Sequence, residues 1–256
     1  MTERKDAMEP HEQPWMRLPL DGAFNVRELG GYPTANGDRT KFGRFLRSDS
    51  LCRLTTHDVK FLHDYGVRAV VDLRDESEAA DAPNVELGSD VVYVNIPLLG
   101  FNAAQIEAIR TQFEEKAFSM ETVYRHIVEN YEGVRACFRF LAEAPEGCVL
   151  FHCAVGKDRT GILAMLLLSL AGVDKWDIVA NYVQTWPNLM RDQVFSEEWY
   201  DAARTDFRKG MMSDPEVIEY AYNIVEEEYG GVESYLLGCG VPDEDAATVR
   251  QRLLRP

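Results

Sequence analysis

One stretch, His152-Cys153-Ala154-Val155-Gly156-Lys157-Asp158-Arg159-Thr160-Gly161, gathers a thiol, two cations, a carboxylate and a hydroxyl. It follows the apolar run Cys148-Val149-Leu150-Phe151 and leads into another, Ile162 to Leu170. That order predicts strand, tight loop, helix. A curled loop turns successive backbone N–H groups inward as a nest for an anion, here those from Ala154, Val155, Gly156 and Lys157 onward. The N-terminus of the following helix adds unpaired N–H groups and the positive end of its dipole. Gly156 permits the angles of a tight curl, and Gly161 gives the helix start close packing or the substrate room. Arg159 supplies a planar fork for two phosphate oxygens. Cys153 then lies below the anion, in line with phosphorus.

The same surroundings activate sulfur. Helix N-termini and nearby cations lower a thiol pKa from about 8.5 to roughly 3.5–7.5. The expected chemistry is attack by a Cys153 thiolate, giving a phosphocysteine that water then hydrolyses. Thr160 can donate its hydroxyl to the departing sulfur. Loop amides and Arg159 stabilise the equatorial oxygens. This route calls for no metal and no cofactor. Two aspartates compete as general acid: Asp158 inside the loop, and Asp72 at the end of the apolar run Val67 to Val71, where open α/β sheets build their sites. Asp158 is the preferred one. The His152 side chain is expected to bond the backbone near Cys153 and fix the loop's shape. A buried structural cysteine is the plainer explanation, but Lys157, Asp158 and Arg159 make a poor apolar packing surface. A Walker-type loop is excluded, because Phe151 and Asp158 stand where its first glycine and its Ser/Thr belong. A Cys-x5-Arg pair alone would arise by chance about 0.4 times in such a chain; the full string would not.

The string resembles the loop of the tyrosine-phosphatase superfamily, and its Gly-Lys-Asp-Arg-Thr-Gly form is similar to the microbial tyrosine/serine and phosphoinositide phosphatase branch. Asn25-Val26-Arg27-Glu28-Leu29-Gly30-Gly31-Tyr32 is similar to that branch's N-terminal pattern, with Val26 for Phe and Glu28 for Asp. Arg47-Ser48-Asp49, Val71-Asp72-Leu73-Arg74 and the acidic pattern near Glu226–Gly230 extend the likeness, which runs from about Leu18 to Leu254. The resemblance implies Cys153 as nucleophile, Arg159 as phosphate clamp and Asp158 as acid, with Lys157 helping to hold anionic substrates, phosphoinositides among them. Trp186-Pro187-Asn188 looks like the acid loop of larger tyrosine phosphatases, yet it follows the cysteine and Asn donates no acidic proton. It is read instead as a helix stop at Pro187.

With 256 residues and 46% apolar content, the chain can bury a sizeable core. No linker or repeat divides it, so one domain over 18–256 is expected, with residues 1–17 as a loose arm. No apolar leader is evident and the longest apolar stretch is too short to span a bilayer. Five scattered cysteines without metal-ligand spacing suit a reducing, cytoplasmic setting. The net charge of −16 speaks against nucleic acid and against anionic membranes as nonspecific partners. Screening acts over about 8 Å at physiological salt, so local cations decide binding. Arg27, Arg47 and Arg74 are candidates to support the site, each balanced against a plain salt bridge.

The elements that must position these groups form a central, mostly parallel α/β sheet flanked by helices, with a helical C-terminal part. A helix capped by Thr55 or Thr56 runs to Tyr65 and stops at Gly66. Strands are expected at 67–73, 91–96 and 148–151. Asn36-Gly37 predicts a hairpin joining a strand near 31–34 to one near 42–47. Helical spacing covers 103–116, 121–142, 160–171 and 174–185, then a helix capped by Ser213 or Asp214 and running to Tyr229, and short helices at 232–237 and 243–254. The leading reading is a cysteine-dependent phosphatase acting on phosphotyrosine-like monoesters, with phosphoserine, phosphothreonine or lipid headgroups as further substrates. The alternative is a noncatalytic phosphate-binding module for phosphorylated partners. The region 101–123 is placed to act as a lid.

Overall fold

Five strands form one sheet: β1 (Arg27–Glu28), β2 (Phe45–Ser48), β3 (Val67–Asp72), β4 (Val92–Asn95) and β5 (Cys148–His152), in the order β1-β2-β5-β3-β4. The computed structural model describes residues 17–100, 119–191 and 212–254. β1 pairs antiparallel with β2, and the other neighbours are parallel. The parallel register sets Ser48 beside His152, His152 beside Asp72, and Asp72 beside Asn95. Four strands therefore end level, and their polar last residues form one row at the carboxyl edge.

Each buried strand alternates its side chains between two cores. Phe45, Val71, Val149 and Phe151 join the larger core with the helices. Leu46, Val70 and Leu150 join a smaller one with Leu18, Leu20, Val26 and Leu62. That double burial explains why the strands read as near-continuous apolar runs. Between the strands, α1 (Thr56–Tyr65) has the expected caps: Thr55 accepts from the Asp58 N–H, and Gly66 closes the helix at φ 97°. A short α2 (Glu76–Asp81) follows β3.

The expected helix over 121–142 is two helices, α3 (Met120–Glu129) and α4 (Tyr131–Glu143). Asn130 breaks it. Its side chain caps α4 by accepting from the Gly133 N–H and donates to the Leu98 carbonyl at 3.0 Å. After β5 comes α5 (Asp158–Leu170), buried almost all round as a central helix must be. Then follow α6 (Lys175–Val183), α7 (Thr185–Arg191), α8 (Pro215–Asn223), a π-helical turn at Ile224–Glu228, α9 (Val232–Gly238) and α10 (Asp243–Leu254). Asp214, with Pro215 next, caps α8. The expected helix at 103–116 lies outside the described residues.

The hairpin is also corrected. The Asn36-Gly37 turn forms, but only an isolated bridge between Pro33 and Arg39 flanks it. Pro33 has no N–H for a ladder, and β2 takes Arg27–Glu28 as its antiparallel partner. No helix among the described residues is long and apolar enough to cross a membrane.

Candidate active site

The loop Cys153–Lys157 joins β5 to α5, and Cys153 is 2% exposed at its start. Its carbonyls are held from outside. The His152 ring bonds the Cys153 carbonyl through Nδ1 at 3.0 Å, and the Ser50 N–H donates to Ala154 at 3.1 Å. Asn25 Nδ2 donates to both Val155 and Gly156 carbonyls at 3.1 Å. Arg47 Nη2 donates to Gly156 at 2.7 Å. In a trans peptide the C=O and the next N–H point oppositely. With four consecutive carbonyls drawn to the scaffold, the N–H groups of Ala154, Val155, Gly156 and Lys157 are turned the other way, which is the nest an oxyanion needs.

Gly156 is required on two counts. Its φ is 71°, and a Cβ there would lie 2.4 Å from the Ser48 carbonyl oxygen at the end of β2. Gly161 makes room for a neighbour: a Cβ on it would meet the Tyr182 ring at 3.0 Å.

Behind the loop lies a polar bracket. Arg27 donates to the Asn25 carbonyl at 3.0 Å, the Asn181 carbonyl at 2.7 Å and Thr185 Oγ1 at 3.0 Å. Arg47 donates to Asn181 Oδ1 at 2.6 Å. Asp49 accepts from the N–H groups of Phe24 and Asn25, so the segment carrying Asn25 is itself fixed. Both arginines are thus spent on backbone and amide groups beneath the nest. Burial pulls Arg47 down to about 10 from the ordinary guanidinium value. Arg27 is also lowered by burial, then by Arg47 beside it.

Arg159 is 8% exposed and grips Glu78 of α2 with both terminal nitrogens, Nη2 to Oε1 at 3.0 Å. Burial opposes its charge, but the Cys153 sulfur and Glu78 raise its pKa above the usual value. The Thr160 hydroxyl is fully buried and has no hydrogen-bond partner among the described residues. His152 is fully buried, and burial lowers it to about 4, so the ring is neutral with its hydrogen on Nδ1 facing the carbonyl.

The two aspartates differ. Asp158 Oδ1 accepts from the Tyr124 hydroxyl at 2.8 Å and lies 3.2 Å from Lys157 Nζ. Tyr124 and Tyr182 hydroxyls are 2.7 Å apart. Because Tyr124 gives its hydrogen to Asp158, Tyr182 must donate to Tyr124. Asp72 is instead locked with Arg74, which reaches it through Nε at 2.9 Å and Nη2 at 2.6 Å, while Asn84 adds a bond at 3.0 Å. Burial works to raise the Asp72 carboxyl, but Arg74 wins and holds it below the usual range. Arg74 otherwise bonds the Ala82 carbonyl and Asn84.

Trp186-Pro187-Asn188 opens a helix and does not stop one. The break falls earlier, at Gln184, and Pro187 sits in the first turn of α7, where its missing N–H costs little. Asn188 Nδ2 donates to Asn25 Oδ1 at 3.2 Å, which adds it to the bracket. Sequence reasoning missed Asn181, Tyr124, Tyr182 and Glu78; the bonds that bring them to the site run to partners at least 34 positions away, with no local signal. Asn25 stood in a quoted motif, yet its task shows only in three dimensions. Among the described residues, Asp21, His57 and Asp58 have metal-type ligand atoms within 4.8 Å of one another. Asp58 there is committed to capping α1 and to the N–H groups of Asp21 and Gly22.

A model of the tyrosine phosphatase family matches residues 18–255. A tyrosine-protein phosphatase of Nostoc commune is 32% identical over 218 residues, covering 82% of this chain and 74% of that one. The triple specificity protein phosphatase PtpB of Mycobacterium tuberculosis is 28% identical, over 92% of this chain and 98% of its own length. Among solved structures, P. aeruginosa TpbA in complex with pTyr is 16% identical with a TM-score of 0.43, over 89% of this chain and 100% of that one. The match along nearly the whole chain makes it a member of the tyrosine phosphatase family and, with it, an enzyme that removes phosphate.

Proposed function

We propose that the protein hydrolyses phosphotyrosine-like phosphomonoesters through a phosphocysteine intermediate, in a single domain over residues 18–256. One observation carries the reading: four consecutive loop carbonyls are bonded to groups around the loop, which turns the amides that follow them the other way, as an oxyanion nest requires. Cys153 attacks phosphorus, the ester oxygen leaves, and Arg159 with the amides of Ala154 to Lys157 takes up charge on the equatorial oxygens. To grip phosphate, Arg159 exchanges one or both of its bonds to Glu78 for phosphate oxygens. Asp158 protonates the leaving oxygen and then, as carboxylate, activates the water that hydrolyses the phosphocysteine. Its Oδ2 takes no bond from any described residue and is the oxygen free to carry that proton. Thr160 Oγ1, without another partner among the described residues, donates to the departing sulfur.

Phosphoserine, phosphothreonine and phosphoinositide headgroups are further substrates on this reading. Lys157 serves them by leaving Asp158 for a second anionic group. PtpB, named as a triple specificity phosphatase, supports that breadth. Five free thiols support a reducing, cytoplasmic location. The test is Cys153→Ser with an aryl phosphate: turnover falls to background while inorganic phosphate still binds. A variant with the parent's rate overturns the assignment.

A further inference from the structure

Most charges around Cys153 come in ion pairs, but those of two buried arginines, Arg27 and Arg47, do not. Arg159 is matched by Glu78, Lys157 by Asp158 and Arg74 by Asp72. His152 is neutral, and burial keeps the Tyr32, Tyr124 and Tyr182 hydroxyls protonated. Asp49, at the end of β2, faces Arg27 and Arg53. Among the described residues neither Arg27 nor Arg47 has a carboxylate within ion-pair distance, and of the two it is Arg47 that bonds the loop. It is 1% exposed, its Nη1 and Nη2 go to an amide oxygen and a carbonyl, and its Nε has no hydrogen-bond partner. A guanidinium does not shed its proton in a protein. A positive charge buried without a counter-ion is costly, and this one stands beside Phe151 in the sheet and bonds Gly156, so it flanks the turn of chain that carries Cys153.

We propose that Arg47 is a positioning residue: its uncompensated guanidinium, set beneath the nest, holds Cys153 as a thiolate and aims the Lys157 N–H at the phosphate by pinning the Gly156 carbonyl. The substrate is then met by a site whose counter-ion deficit only an anionic sulfur or a phosphate can fill. This rests on the reading of Cys153 as nucleophile and adds to it the source of the sulfur's activation. An arginine is needed because its fork reaches Asn181 and Gly156 together; a lysine would keep the charge and lose one of the two bonds.

The experiment is iodoacetamide alkylation of the full chain against pH, read at the Cys153 peptide by mass spectrometry because four other thiols also react. Arg47→Met should raise the ionisation midpoint of Cys153 by about one pH unit or more. Arg47→Lys should recover at least half of that shift. Asn181→Asp leaves Arg47 in place but gives it a carboxylate, and should raise the midpoint as well. Thermal melting establishes that each variant is folded; should Arg47→Met fail to fold, Asn181→Asp decides alone. Midpoints within about 0.2 of the parent in the folded variants overturn the proposal, as does an Arg47→Lys midpoint equal to that of Arg47→Met. A parent Cys153 that ionises like a free thiol defeats the nucleophile reading first and this inference with it.

Discussion

Asp72 ends β3 and Asp158 opens the helix that follows the neighbouring β5, yet they live differently. Asp72 ends β3 and takes bonds from Arg74 and Asn84 on both oxygens, with 6% of its side chain exposed. Asp158 opens α5 after the loop that follows β5, takes the Tyr124 hydroxyl and the Lys157 ammonium on one oxygen, and keeps 30% of its side chain exposed. A fork of two parallel N–H donors fixes a carboxylate as an anion. At Asp158 both partners meet on Oδ1, and the other oxygen takes no bond from any described residue. The comparison teaches that position at the carboxyl edge of a sheet offers a role in chemistry, and the partner decides whether the residue can accept it.

Four measurements would break or sharpen this contrast. Asp72→Asn should be the most costly to stability, about 3 kcal/mol, since it strands the Arg74 charge in the protein. Urea unfolding measures it, and the folded variant should keep the parent's ratio of alkyl to aryl phosphate turnover. A selective loss of alkyl turnover there would move the acid's role to Asp72.

Glu28 supplies a third case, a carboxyl group buried with a phenol and two amides and with no cation within ion-pair distance among the described residues. It accepts from Tyr65, Gly30 and Gly43, and burial raises it to about 7. Its folded pKa lies above the unfolded one, so its contribution to stability is complete below about pH 4.5 and is lost as pH rises towards 7. The advantage of Glu28→Gln over the parent in unfolding free energy, read by urea unfolding, should therefore grow between pH 5 and pH 8, by up to about 3 kcal/mol. A difference independent of pH would show that the group does not titrate in that window.

Asp158→Asn should slow an alkyl phosphate by about 100-fold and an activated aryl phosphate much less, because phenolate leaves with little help. Equal losses on both substrates would point to a binding role. The smallest effect belongs to Tyr124→Phe, which removes one hydrogen bond from Asp158. Alkyl turnover should fall about fivefold relative to aryl, the equivalent of about 1 kcal/mol.

Much of the scaffold was legible because its signals are local. Thr55 and Gly66 mark the ends of α1 by their own side chain or lack of one, and Pro215 after Asp214 marks the start of α8. The apolar runs of β3 and β5 and the loop string between strand and helix read directly as well. What escaped is held by distant partners. Asn130 splits α3 from α4 because the Leu98 carbonyl engages it, and nothing in 121–142 announces that. Pro33 cannot continue a ladder, so β2 found its neighbour at Arg27–Glu28. Arg27, Arg47 and Arg74 were legible as cations near the site; that they serve the loop's scaffold and an ion pair depends on Asn25, Asn181 and Asp72 meeting them after folding.

Gly156 carries a last consequence. With its α-carbon set flush against the Ser48 carbonyl, the cradle and the tip of β2 behave as one casting. Such a mould exists before its occupant arrives. Tetrahedral oxyanions of phosphate's size should seat without the ordering penalty a mobile loop would add, while flat anions such as nitrate meet a shape made for something else.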